Sequence, residues 1–168
     1  MWGLVMKFIL KILLASLSAL AAVAISSGSI VVNEVELNPA GDENEWVELF
    51  NTGEESVDIG RWSVTIEETL PSGGKWTGVI TIPRNTSIEA GGYHVVEGEE
   101  RWARGNNGTV LLRTESWELV DKTPLRSDEG DDDFSWSRYP NGVDTDTTSD
   151  WAFIRSTPGA ENVLGVGI

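Results

Sequence analysis

Two acids stand where acids are costly. Glu34 lies within Ile30-Val31-Val32-Asn33-Glu34-Val35, and Glu48 within Glu45-Trp46-Val47-Glu48-Leu49-Phe50-Asn51. Both stretches read as buried β-strands. The first is rich in β-branched residues, and the second alternates with the strand period of two. An ionised carboxylate inside such a strand is unfavourable unless it is paired or hydrogen-bonded. Two neighbouring carboxylates could do acid/base work, as in a small secreted hydrolase. They could equally form an enclosed network that fixes the fold. Burial separates the two readings, because catalytic carboxylates need a cleft and a path for water.

Other residues offer different chemistry. Asp128, Asp131 and Asp133 fall in the run Asp128-Glu129-Gly130-Asp131-Asp132-Asp133, and Asp144, Asp146 and Asp150 follow. Calcium takes several oxygen ligands from flexible loops, and it is the one cofactor these acids raise. The Asp144-Thr145-Asp146 and Asp150 spacing lacks the central glycine and terminal glutamate of a helix-loop-helix calcium loop. A solvated acidic edge accounts for the same pattern. Seven tryptophans follow the N-terminal region: Trp46, Trp62, Trp76, Trp102, Trp117, Trp136 and Trp151. Most belong in a core. Trp102 and Trp117 sit in or beside polar loops, which makes them the candidate ligand face, where a sugar ring could stack. His94 is the one histidine, and there is no cysteine. That excludes a multi-histidine metal site, a disulfide framework, cysteine-ligated zinc and a thiol nucleophile. No phosphate loop, dinucleotide fingerprint, zinc helix motif or nucleophile elbow is present.

The elements that must position these residues are short strands. After residue 30 the expected strands are Val57 to Ile59, Arg61 to Ile66, Trp76 to Ile82, Tyr93 to Val96, Thr109 to Arg113, Trp117 to Asp121, Phe134 to Tyr139 and Trp151 to Ile154. Gly, Pro, Asn and Asp separate them at regular intervals, and no helical stripe appears. The reading is an all-β, antiparallel β-sandwich over residues 28–168. Residues 1–27 are a separate unit. Lys7 and Lys11 precede the apolar run Ile12 to Ile25, and Ala22-Val23-Ala24 fits a small-x-small cleavage site. The run reads as a secretory signal, with an uncleaved anchor helix as the alternative. As a helix it spans about 21 Å, short of a ~30 Å hydrocarbon core unless counted from Trp2. Either way, lysines on the inner side send the rest outward. Asn85-Thr86-Ser87 and Asn107-Gly108-Thr109 are glycosylation sequons. The net charge is −15. Every acid follows Ile30, so the sandwich repels phosphate backbones, and nucleic acid is not an expected partner.

The ordered pieces resemble the lamin-tail domain family, most closely its secreted prokaryotic members. They are Val32-Asn33-Glu34, Glu45 to Asn51, Asp58-Ile59-Gly60-Arg61-Trp62, Ala90-Gly91-Gly92-Tyr93, the strand ending at Asp121, Ser135 to Gly142, and Ser156 to Asn162. The resemblance implies an immunoglobulin-like sandwich that binds and does not catalyse. It also implies that Glu34 and Glu48 lie on adjacent strands with Arg138 as their partner in one structural network. The expected function is a binding module, secreted or tethered to the outer face of the membrane, that recognises an extracellular protein or polysaccharide of the cell envelope. The rivals are the small hydrolase using Glu34 and Glu48, and a self-assembling surface component.

Overall fold

The computed structural model describes residues 30–41, 43–99 and 102–165. The strands are β1 (Ile30–Glu36), β2 (Trp46–Asn51), β3 (Val57–Asp58), β4 (Ser63–Thr69), β5 (Lys75–Thr81), β6 (Ser87–Ile88), β7 (Tyr93–Glu97), β8 (Asn107–Arg113), β9 (Leu119–Lys122), β10 (Arg126–Ser127), β11 (Phe134–Arg138) and β12 (Trp151–Arg155). The only helical element among the described residues is a 3-10 turn at Thr148–Asp150. The expected signal or anchor, residues 1–27, lies outside the described residues. No helix among the described residues is long and apolar enough to cross a membrane.

One sheet has the order β12-β11-β1-β2-β7. The other runs β5-β4-β8, with β9 and β10 both paired to β8. A small ribbon joins β3 to β6. Every one of these pairings is antiparallel. The fold is an immunoglobulin-like β-sandwich. Its core follows from alternation: Val47 and Leu49 of β2 meet Val64 and Ile66 of β4 and Val110 and Leu112 of β8 within one buried cluster. Ile59, Trp62, Ile82 and Ile88 belong to the same cluster.

Three local features depart from the strand pattern in the sequence. β6 and β10 are two residues each, too short to show a period. Trp117 sits in the left-handed region at φ 67°, in the turn before β9, so the second arm of that hairpin starts at Leu119. Its N–H donates to Thr114 O at 2.9 Å. Trp102 is in the core at 3% exposure, although its loop is polar. It seats there because Gly78 on β5 has no side chain. A Cβ at that position would stand 1.8 Å from the Trp102 carbonyl oxygen. The Trp102 indole N–H donates to Val64 O at 3.3 Å, and the Trp76 indole N–H donates to Trp102 O at 3.1 Å.

Gly78→Ala is therefore expected to lower stability by about 1–3 kcal/mol or more, as overpacking does. Gly105→Ala, where the nearest atom to the new Cβ is 3.6 Å away, should stay within about 0.5 kcal/mol. Urea unfolding of both variants, followed by tryptophan fluorescence, checks the pair.

Candidate functional site

Two assemblies of buried polar groups lie on the two faces of the sheet that contains β1. Both assemblies start from an irregularity in that strand. Val32 opposes Leu49 and Glu34 opposes Glu48, so Asn33 is an extra residue, a β-bulge. Beyond it Glu34 and Glu48 face each other directly across the ladder. Glu34 Oε1 accepts from Ser135 Oγ at 2.5 Å and from the Thr157 N–H at 2.8 Å, and its Oε2 accepts from Thr157 Oγ1 at 3.1 Å. Glu48 Oε1 accepts from Asn33 Nδ2 at 2.9 Å, and its Oε2 accepts from the Gly159 N–H at 2.6 Å. Asn162 ties the assembly, donating from Nδ2 to Asn33 O at 3.1 Å and to Arg138 O at 3.0 Å. The segment after β12 is thus a strap laid across the outer face of the sheet, and it supplies donors to both acids. Glu34 and Glu48 are each 0% exposed. Burial pushes the Glu48 carboxyl up to about 7, opposed by the hydrogen bonds from Asn33 and Gly159 and helped by the charge of Glu34. Burial also raises Glu34, against its bonds from Ser135 and Thr157.

Arg138 is not the partner of these acids. Glu34 is in register with Ser137, so Ser137 shares its face, and Arg138, one residue on, points to the opposite one. There it meets the second sheet. Arg138 Nη2 donates to Asp121 Oδ2 at 3.0 Å and Oδ1 at 3.2 Å. Its Nη1 donates to Asp144 Oδ1 at 2.9 Å and lies 3.6 Å from Asp150 Oδ2. The guanidinium sits 4.8 Å from the centre of the Trp151 ring. Val32 lies beyond the β1–β11 ladder, which covers Glu34 and Val35. Its N–H donates to Asp121 Oδ2 at 2.7 Å, and its carbonyl accepts from Arg138 Nε at 2.7 Å. The ion pair therefore satisfies backbone groups that the strands leave open. Burial pushes the Asp121 carboxyl up, while the Arg138 charge and the Val32 and Lys122 N–H groups pull it back. The sequence reading missed Asp121, Asn33, Asn162 and Thr157 in these roles. The alternation Ser135-Trp136-Ser137-Arg138 was the available signal.

The acids proposed for calcium divide between two loops. Asp128 Oδ1 accepts from the Gly130 N–H, Asp131 Oδ1 from the Gly41 N–H, and Asp133 pairs with Arg155. In the second loop the Arg138 guanidinium holds Asp144 and lies beside Asp150. Asp150 also accepts from Thr145 and Thr147, and the Thr145 hydroxyl leads in holding its carboxyl down at about 2. Asp146 stands at φ 57° with an exposed side chain. Among the described residues no three acidic or histidine side chains converge as metal ligands. Glu36, absent from the sequence reading, is buried and interacts with Asp128. Burial first, then the neighbouring Asp128 and Asp132, push it up to about 8 against the Asn38 N–H bond.

The Lamin Tail Domain family matches residues 24–151. The chain belongs to the lamin-tail domain family. No curated protein matches it. Lamin-tail domains are immunoglobulin-like modules that bind or build structure, and the rest of this one fits that description. The strap residues Thr157, Gly159 and Asn162 lie past the matched region. Of the candidate ligand face, Trp102 is withdrawn into the core, while Trp117 is 60% exposed. A second exposed aromatic group, unforeseen, lies on β11 and β12, where Phe153 stands 5.9 Å from Phe134 and 5.2 Å from Trp136 between ring centres. His94 faces Leu49 on β7, half-buried, which lowers its pKa. Asn85 is exposed in a turn, and Asn107 is half-buried at the start of β8.

Two outcomes follow for this lamin-tail domain. Arg138→Ala leaves Asp121 buried without its counter-charge and should cost about 3–5 kcal/mol, a fall of roughly 10 °C in melting temperature. The double variant Arg138→Met with Asp121→Leu should lose less than the two single changes summed, and a double-mutant cycle by thermal denaturation measures this. For Glu48 the sign is that of a raised acid. The folded form holds its proton up to about pH 7, the unfolded form only to 4.5. Its ionisation thus removes stability as pH rises from 4.5 to 7, by about 3 kcal/mol at ~1.4 kcal/mol per pH unit, and restores it on acidification. Glu48→Gln should flatten that part of the stability–pH curve relative to the unchanged chain.

Proposed function

We propose that the domain is a non-catalytic binding module on the outside of the cell, secreted or tethered to the membrane's outer face, which recognises a cell-envelope protein or polysaccharide. The observation that carries this reading is the enclosure of the acids with the most chemical promise. Glu48 has the raised proton affinity that a general acid needs. Yet the oxygens of Glu34 and Glu48 accept bonds from Ser135, Asn33 and the strap. A substrate would have to displace the strap, and with it the contacts that hold the sheet's outer face. The remaining carboxylates of the two acidic loops bind backbone N–H groups, Thr145, Thr147 or arginines, with Glu129 and Asp146 the exposed exceptions among the described residues. The outward surface carries most of the −15 charge, which suits solubility in an ionic exterior.

The test is retention. The full chain is incubated with two fractions of its source cell's envelope, insoluble polysaccharide and detergent-solubilised protein, each with calcium and with chelator. Saturable retention on one fraction, reversed by excess untagged chain, is the expected outcome. Absence of retention on both fractions in both conditions would sink the reading, as would hydrolysis of either fraction that Glu48→Gln abolishes without loss of folding.

A further inference from the structure

A cleft of about 300 Å³ opens beside the Arg138 assembly, between the β9–β10 connection and the loop that precedes β12. Nothing in the structural role of that assembly requires it. Its apolar lining comes from Pro124 and from Trp151, a residue only 7% exposed. Its polar lining includes Lys122, Asp144, Asp146 and Thr148, with Arg138 also reaching it. Several of these groups are uncommitted. Lys122 is exposed and makes no ion pair with any described residue, and the Asp146 carboxylate accepts no hydrogen bond from one. Asp144 is engaged through Oδ1 alone, by Arg138 Nη1 and the Asp146 N–H. Asp146 itself is held at φ 57°, a conformation that non-glycine residues adopt infrequently.

The charges decide the class of ligand. Arg138 is already held by Asp121 and Asp144 and has Asp150 close by. What remains at the mouth is the Lys122 ammonium, the free Oδ2 of Asp144 and the carboxylate of Asp146. A small anion would meet both carboxylates, and a small cation would meet Lys122. A neutral ligand with hydroxyl groups can satisfy all of them, because a hydroxyl both donates to a carboxylate and accepts from an ammonium. A ligand that also presents an apolar face would cover Pro124. The volume lies at the lower end of the ~300–1,000 Å³ of small-molecule sites, the size of a sugar residue and not of a long chain.

We propose that this cleft binds a neutral pyranose residue of a glycan, with Asp146 and Lys122 as its principal hydrogen-bonding groups. The proposal rests on the reading of the domain as a binding module and names the ligand class of one site on it. It places recognition on the second acidic loop and not on Trp102 or Trp117.

The experiment uses the full chain and four neutral trisaccharides as probes, of glucose, mannose, galactose and N-acetylglucosamine. Saturation-transfer NMR reports contact, and titration calorimetry reports affinity. At least one trisaccharide should receive saturation at its ring protons. Asp146→Ala and Lys122→Ala, both at exposed positions, should each weaken it about tenfold, the worth of one charged hydrogen bond. Trp117→Ala should leave it unchanged. No transfer to any of the four probes would overturn the proposal. So would unaltered affinity in both cleft variants, or tighter binding of trigalacturonate or the chitosan trimer than of any neutral probe. The same variants in the envelope retention assay separate this claim from the broader one. Retention that persists in both cleft variants overturns the cleft and leaves the module standing, whereas loss of retention by the unchanged chain removes the module itself.

Discussion

A strand that carries one residue too many cannot keep all its backbone bonds within the sheet. In this domain the extra residue is Asn33, and the strand is the central one of its sheet. At Val32 the ladder to β11 has not yet begun, so an amide and a carbonyl need partners from elsewhere. Asp121 and Arg138 take one each and also bind one another. The cost of burying two charges is large, and their attraction offsets it only where further hydrogen bonds complete their shells. Here backbone groups of Val32, Lys122 and Val143 complete them. Because Asp121 belongs to β9 and Arg138 to β11, the same pair fastens one sheet to the other. The sandwich's end, the position of the Asp144 to Asp150 loop and the cleft beside it all inherit their geometry from this bond.

The bulge has a second effect on the opposite face. It brings Glu34 opposite Glu48, two carboxyl groups that would repel at close range if both were ionised. Such a pair is tolerable when a proton or several donors are at hand, and this one has donors from a neighbouring strand, from Asn33 and from the strap. This domain therefore uses Glu34, Glu48, Asp121 and Arg138 as internal fasteners. What it presents outward are loops, an exposed aromatic group on β11 and β12, and the cleft. The proposed recognition falls to these surfaces because the interior acids are already in use.

Much of this was legible in the chain. Alternation in Glu45 to Asn51 and the spacing of turn residues gave an antiparallel sandwich, since both signals are local. The adjacency of Glu34 and Glu48 was implied by the family resemblance and not by the residues themselves. Arg138 was assigned to the wrong partners because its face depends on register. Ser137 pairs with Glu34, so Arg138 must turn the other way, and that register joins strands about a hundred residues apart, which local sequence does not state. Trp102 was misplaced for a related reason. Its loop is polar in sequence, and its burial depends on a missing side chain at Gly78 on another strand. Trp117 looked like strand because nothing in its neighbours announces a single residue in the left-handed region.

The strap has a consequence in time. Glu34 and Glu48 belong to the first two strands, yet the donors from Thr157 and Gly159 stand 123 and 111 residues later. At about 5–20 residues per second of synthesis, those donors are made roughly 6–25 s after the acids they serve. Until then the carboxylates of β1 and β2 lack part of their hydrogen-bonding complement, which makes burying them less favourable. The sheet's outer face thus gains its full set of donors only once the strap has been made.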